Sequence, residues 1–188
     1  LIESGPVTIG YPFGWQEIPG NELTKYTELT PVTPQWVFSF ELMRTEVTRG
    51  MYRPCVEAGV CNAPTDNWSE TSTDDDALPV VHVSRSQALI FAEWSGARLP
   101  TLSEWEYVAT GNGTYSQYPW GEEPIIRPDG SCRANVPNLG CSLDQVILPC
   151  EAEGDRSPDG VCDLIGNVRE HLGTEVSVDL GHLREDGT

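Results

Sequence analysis

A long segment without helix or strand periodicity, residues 111–163, constrains the fold of this chain more than any other feature. It is rich in glycine, proline and turn-forming residues, and it holds four of the six cysteines. A compact domain rarely carries so long an irregular segment unless function, crosslinks or ions hold it in place. The sequence therefore predicts a single loop-rich domain over residues 1–188 whose loops are crosslinked.

The even number of cysteines in an acidic, loop-rich chain indicates disulfides and an oxidising compartment. No pair has the CxxC spacing, so structural zinc and thioredoxin chemistry are not indicated. Six cysteines allow fifteen pairings. The simplest is sequential: Cys55–Cys61, Cys132–Cys141 and Cys150–Cys162. We expect the protein to be secreted, periplasmic or attached to the cell surface.

The charge of the chain narrows the class of partner. Its formal net charge is −18, from 29 acidic and 11 basic residues. This balance argues against nucleic acid and anionic membranes, and it suits calcium, a cationic partner or simple solubility. No apolar run approaches the roughly 20 residues of a membrane span. The chain begins at Leu1 without a visible signal peptide, so we expect a processed or trimmed chain, or a fragment.

Three helix starts are marked by capping residues. Thr101 with Glu104 and Ser84 with Gln87 have the spacing of capping boxes, and Thr48 is a third candidate N-cap. Glycines mark the ends, which predicts helices over 48–58, 84–95 and 101–110. Apolar runs of β-type composition predict strands at Pro6–Ile9, Gln35–Met43 and Pro79–Val83. The expected fold class is α+β.

Several runs of residues occur in a characteristic order: EVT at 46–48, GARLPTLSEWEY at 96–107, YPWG at 118–121 and DLIGNVRE at 163–170. In these runs the chain resembles the formylglycine-generating enzyme family, also called the sulfatase-modifying-factor domain. The likeness covers residues 40–170, and Cys55 and Cys61 look like those of many secreted bacterial members. The resemblance implies a C-type-lectin-like fold with two or three helices and small twisted antiparallel sheets.

The resemblance also implies structural calcium. In the first site, side chains and backbone carbonyls would come from Asp163, Gly166, Val168 and Glu170. In the second site, the ligands would come from Asn135, Val136, Asp144 and Val146. Calcium takes six to eight hard oxygen ligands and accepts them from flexible loops, which suits both sets.

The family's oxidation chemistry is not expected in this chain. Its enzymes convert a sulfatase cysteine to formylglycine with copper(I) held by two cysteines, soft ligands that suit this ion. That pair lies beyond the GNV motif, whereas no cysteine here follows Cys162. Copper and the C-terminal strands of the family are therefore expected to be missing. Arg85, Arg169 and His171 also replace tryptophans of the family pattern, and no catalytic residue is assigned.

These features predict a formylglycine-generating-enzyme-like module without oxidase activity. It would be a binding or structural component of an extracellular or periplasmic assembly, stabilised by calcium and disulfides. The expected partner is a protein or peptide, or a glycan. Trp15, Trp68 and Trp120 either line a surface for this partner or belong mostly to the core, and the second interpretation is favoured. The alternative is a copper-dependent oxidase that forms formylglycine and has its cysteine pair outside this chain.

Overall fold

The computed structural model describes residues 1–9, 33–65, 75–114, 116–137, 140–141 and 146–173. Its elements, in chain order, are strands β1 (Gly5–Ile9) and β2 (Thr33–Val37) and helices α1 (Arg49–Glu57), α2 (Arg85–Trp94) and α3 (Leu102–Ala109). This loop-rich arrangement confirms the predicted α+β class. None of the helices in this part of the chain is long and apolar enough to cross a membrane.

The two strands pair antiparallel, from Gly5 opposite Val37 to Ile9 opposite Thr33. The first predicted strand is therefore confirmed. The second prediction, Gln35–Met43, was too long and began too late, because after Val37 only one isolated bridge continues the ladder, from Phe40 to Ile2.

All three predicted helix starts are confirmed. The hydroxyl of Thr48 accepts the Met51 N–H at the start of α1. Ser84 and Thr101 form complete capping boxes with Gln87 and Glu104, at the starts of α2 and α3. These contacts link residues only three apart, which explains why the sequence alone located them.

The predicted strand Pro79–Val83 is wrong. Pro79 makes only an isolated bridge to Thr48, and Val80 donates its N–H to the Val47 carbonyl at 2.9 Å. His82 then has a φ of 56°, in the left-handed region, which bends the chain away from strand geometry.

Two apolar clusters support the loops. The larger joins the sheet, α3 and the start of the 161–173 segment, with buried members Ile2, Val7, Val37, Phe40, Tyr107, Val108, Val161 and Leu164. The smaller surrounds the buried side chain of Tyr52, whose ring lies 5.2 Å from that of Phe91 on α2. The chain around residue 163 is thus fixed by core contacts on one side.

The sequential disulfide pairing is confirmed. The Cα atoms are 5.2 Å apart in Cys55–Cys61, 5.4 Å in Cys132–Cys141 and 5.2 Å in Cys150–Cys162. The first bridge closes the end of α1, and the other two hold the irregular segment that contains the second set of predicted calcium ligands.

Candidate metal centre

The segment 163–170 begins at a buried aspartate. Asp163 is 2% exposed, has a φ of 60° and follows Cys162, whose disulfide reaches Cys150. The Cys150 N–H donates to Oδ2 of Asp163 at 2.6 Å, while Oδ1 is buried without a hydrogen-bond partner. Burial raises the pKa of this carboxyl, against the lowering effect of the Cys150 N–H and of Arg156. The disulfide therefore positions an incompletely satisfied carboxyl group.

Asn167 connects three separate parts of the chain. Its amide donates to Oε1 of Glu46 at 3.0 Å and to the Ile147 carbonyl at 3.1 Å. Its Oδ1 accepts the Ile147 N–H at 3.0 Å and the side-chain amide of Asn135 at 3.4 Å. With a φ of 56°, it combines a left-handed backbone with four side-chain contacts. Asn167 thus joins the 163–170 segment to the parts of the chain around Glu46, Asn135 and Ile147.

Gly166 permits the closest approach in this region. A Cβ atom at this position would collide with the carbonyl oxygen of Asn135, whose carbonyl also accepts the Asn167 N–H at 2.9 Å. Only glycine fits without a shift of one backbone against the other. The close packing brings the two predicted calcium sites side by side.

Glu170 is held from helix α3. The indole N–H of Trp105 donates to Oε2 of Glu170 at 2.5 Å, so the helix that begins at the Thr101 capping box orients this carboxylate. Glu170 retains solvent access, yet lost hydration raises the pKa of its carboxyl, and Asp163 adds to the increase. Trp105 therefore has a positioning role that the helical pattern did not reveal.

Sequence reasoning missed two buried acids next to this segment. Glu46 is 6% exposed, and burial, then Asp163 and Glu170, raise its pKa to about 8. Asp155 is fully buried, and burial first, with smaller increases from Asp163 and Glu170, raises its pKa to about 7. Each has one carboxylate oxygen without a hydrogen-bond partner. Glu46 belongs to the EVT run that carries the family resemblance, but the sequence analysis gave it no role. No motif in the sequence pointed to Asp155.

One cavity of about 500 Å³ brings most of the predicted ligands together. Its lining includes all four residues of the first predicted site and two of the second: Asp163, Gly166, Val168, Glu170, Asn135 and Val136. Val146 is half-buried and does not line the cavity, and Asp144 lies outside the described residues.

The donor set of this cavity fits a calcium ion in kind. It offers carboxylates, backbone carbonyls and a buried Asp163 oxygen that lacks a partner. Among the described residues, no three His, Cys, Asp or Glu side chains converge into a ready metal cage. A cation here would therefore depend on carbonyl oxygens or water in addition to carboxylates.

Of the three departures from the family pattern, Arg169 lines this cavity, whereas Arg85 and His171 do not. The Arg85 guanidinium donates to the carbonyls of Leu172 and Gly173 at 3.0 and 2.6 Å. His171 Nε2 lies 3.0 Å from the Val83 carbonyl, and Arg169 is exposed. Polar contacts to the backbone thus link the start of α2 to residues 171–173.

The three tryptophans considered for a binding surface or the core are only partly described. Trp120 is half-buried, stacks on Tyr118 with ring centroids 4.9 Å apart, and donates its indole N–H to the Glu123 carbonyl. Trp15 and Trp68 lie outside the described residues. Trp120 therefore has a local structural role within the YPWG turn.

Comparisons with known proteins agree over most of the chain. A family model of the sulfatase-modifying factor enzyme 1-like domain matches residues 1–181. The formylglycine-generating enzyme of Thermomonospora curvata is 33% identical over 133 residues, 71% of this chain and 39% of that protein. That of Streptomyces coelicolor is 48% identical over 98 residues, 49% of this chain and 31% of that protein.

A further relative is named as inactive. The inactive C-alpha-formylglycine-generating enzyme 2 of Bos taurus is 35% identical over 145 residues, 72% of this chain and 48% of that protein. In each of these three matches, the aligned part is less than half the length of the curated relative.

Proposed function

This chain belongs to the sulfatase-modifying factor enzyme 1-like domain family, and we propose that it is a formylglycine-generating-enzyme-like module that binds a partner rather than oxidises one. It acts as a component of an extracellular or periplasmic assembly. Calcium and disulfides stabilise its loops, and the loops carry the contacts with the partner. The three disulfides support an oxidising compartment.

The observation that carries this proposal is the group of buried acids around residues 163–170. Glu46, Asp155 and Asp163 are each less than a tenth exposed, and each has an oxygen without a partner. No ion pair joins them to another described residue, although the field of Arg156 reaches Asp163. Buried carboxylates are costly unless a proton, a hydrogen-bond donor or a cation compensates them. A bound cation is the compensation that fits a family with structural calcium.

Asp163 and Glu170 would supply carboxylate oxygens to this ion, and Gly166 and Val168 would supply carbonyls. Bound calcium supplies positive charge and fixes loop geometry, and no reaction is assigned to it. The residues around it keep the ligands oriented: Trp105 holds Glu170, and the Cys150 N–H holds Asp163. A second calcium ion would use Asn135, Val136, Asp144 and Val146.

Three observations favour binding over oxidation. All six cysteines are in disulfides, so these residues offer no thiolate pair for copper(I). The relatives also include a protein named as inactive. Arg85 and His171, where the family pattern has tryptophan, are engaged in backbone contacts.

The partner we propose is a protein or peptide. Trp36 is 60% exposed and Phe38 is 78% exposed, and they lie at and just after the end of β2. Exposed aromatic side chains of this kind are common anchors in protein interfaces. A glycan partner would use the same aromatic surfaces by stacking.

Calcium dependence of unfolding tests the scaffold. A ligand at 100 times its Kd stabilises the folded state by about 2.7 kcal/mol. For a domain of this size, that corresponds to a rise in Tm of about 5–10 °C. We expect this rise on adding calcium to chelator-treated protein, and its loss in Asp163→Asn. Glu153→Gln, at an exposed position, is the matched control and should keep the rise.

An activity assay tests whether the chain lacks oxidase activity, as we propose. The protein is incubated with copper(I), oxygen and a cysteine peptide of the sulfatase type, and mass spectrometry follows the cysteine. We expect an unchanged peptide. Conversion of the cysteine to formylglycine would contradict the proposal and favour an oxidase.

A further inference from the structure

The turn after helix α3 contains an asparagine followed by a glycine, Asn112 and Gly113, and no other asparagine in the chain precedes a glycine. Both residues have left-handed backbones, with φ values of 58° and 77°. A Cβ atom at position 113 would collide with the Pro6 carbonyl oxygen and with the Tyr107 ring, so the turn packs directly against β1. Only glycine fits at this position without a shift of the backbone.

The Asn112 side chain is held at one end only. Its Nδ2 donates to Oδ2 of Asp159, whereas its Oδ1 is buried without a hydrogen-bond partner. Among the described residues, no other asparagine or glutamine has a buried amide oxygen in this state. A buried carbonyl oxygen without a donor costs free energy. The contact with Asp159 is therefore what keeps this amide in place.

The backbone nitrogen of Gly113 is placed to attack this amide. It follows Asn112 directly, so a bond from it to the side-chain carbon Cγ closes a five-membered imide ring. Its N–H donates to the Tyr107 carbonyl at 3.3 Å, which is longer than most N–H···O contacts. Glycine also has no side chain to shield its nitrogen. A local opening of the turn breaks this weak contact and frees the nucleophile.

The reaction that this pair can undergo needs only water. The Gly113 nitrogen loses its proton to solvent and bonds to Cγ of Asn112, while the bond from Cγ to Nδ2 breaks and ammonia leaves with a proton taken from water. Water then opens the imide at either carbonyl. Opening at the side-chain carbonyl gives aspartate, and opening at the main-chain carbonyl gives isoaspartate, whose main chain runs through the side-chain carbon.

We propose that Asn112 is a site of spontaneous modification, which converts it to aspartate and isoaspartate and releases the turn after α3 from Asp159. Aspartate places a second carboxylate opposite Asp159, so two acceptors face each other without a donor. Isoaspartate adds a carbon atom to a main chain that is already tightly packed at Gly113.

The modification also reaches the candidate metal centre. Asp159 lies in a turn closed by the Gly160 N–H and the Ser157 carbonyl, at 2.9 Å, three residues before Cys162. Loss of the Asn112 contact therefore loosens the end of α3 from the segment that leads into residues 163–170. This inference does not depend on calcium or on the proposed partner.

Peptide mapping by mass spectrometry tests the site. The full chain is incubated at neutral and at mildly alkaline pH, and conversion of Asn112 is followed against that of Asn62, an exposed asparagine that precedes alanine. We expect Asn112 to convert at least about tenfold faster, a difference of about 1.4 kcal/mol in activation free energy. The rate should rise with pH, because the attacking nitrogen must lose its proton. Equal rates at the two positions, or a product without isoaspartate, would overturn the proposal.

Thermal unfolding of variants tests the consequence. Asn112→Asp carries the aspartate product, and it should lower the Tm by about 2–4 °C, the shift that the loss of one ordinary hydrogen bond produces in a domain of this size. The control Asn62→Asp makes the same change of charge at an exposed position and should keep the wild-type Tm. The double variant Asn112→Asp/Asp159→Asn should recover most of the loss, because an amide again faces a carboxylate.

A wild-type Tm in Asn112→Asp, or no recovery in the double variant, would overturn the release of the turn from Asp159. If Asn112→Asp does not fold, the converted fraction of aged wild-type protein replaces it. Its extra negative charge separates it by ion exchange, and an unchanged Tm in that fraction would likewise count against the release.

Discussion

In the absence of calcium, raising the pH from about 5 to about 8.5 is expected to destabilise this domain through Glu46. Burial raises the pKa of Glu46 from its ordinary value of 4.5 to about 8 in the folded protein. Between these values the folded state binds a proton that the unfolded state has already lost. The stabilising contribution of the neutral side chain is therefore complete below about pH 4.5, and it is lost as the pH rises through about 8.

The magnitude follows from the size of this change. At about 1.4 kcal/mol per pH unit, the difference between 4.5 and about 8 amounts to about 5 kcal/mol for Glu46 alone. Asp155, with a pKa raised from 3.8 to about 7, acts in the same direction. The two contributions do not simply add, because Asp163 and Glu170 influence both groups. We expect a loss of about 3–5 kcal/mol, a large part of a typical domain stability of 5–15 kcal/mol.

Urea unfolding at half-unit steps of pH, in chelator, measures the effect. The free energy of unfolding should fall through this window in the wild type and fall much less in Glu46→Gln. With saturating calcium the dependence should flatten or reverse, because the ion binds the ionised carboxylates and competes with protons. A free energy of unfolding that is constant across the window in chelator would refute the reasoning about Glu46.

Three further predictions concern the supports of this site. Asn167→Gly keeps the left-handed backbone and removes the side-chain contacts, so it should cost about 2–3 kcal/mol in urea unfolding; a smaller loss would mean that water replaces the amide. Alanine pairs in place of Cys150–Cys162 or Cys55–Cys61 should each cost about 2–3 kcal/mol. Only the loss of Cys150–Cys162 should also lower the calcium affinity measured by calorimetry, because this disulfide positions Asp163. Equal calcium affinity in the two double-alanine variants would contradict this. Thr101→Ala should cost about 1 kcal/mol through the lost capping contact, measured by urea unfolding against the wild type.

Much of the fold followed from local signals. Capping boxes located the starts of α2 and α3, since their hydrogen bonds join residues three positions apart. The disulfides joined cysteines that are neighbours in sequence, so the simplest pairing was confirmed. The strand predicted at Pro79–Val83 failed because composition does not supply a partner strand, and His82 turns the chain at that point.

The candidate site also has a part that the sequence predicted and a part that it did not. The sequence by itself determined the family motifs and the set of candidate residues over 163–170, because these residues lie within a few positions of each other. Only the tertiary structure brought Glu46 to this segment, through an Asn167 contact across 121 residues. It also decided the ionisation of the acids, because loss of hydration depends on all the atoms packed around a group and not on its neighbours in sequence.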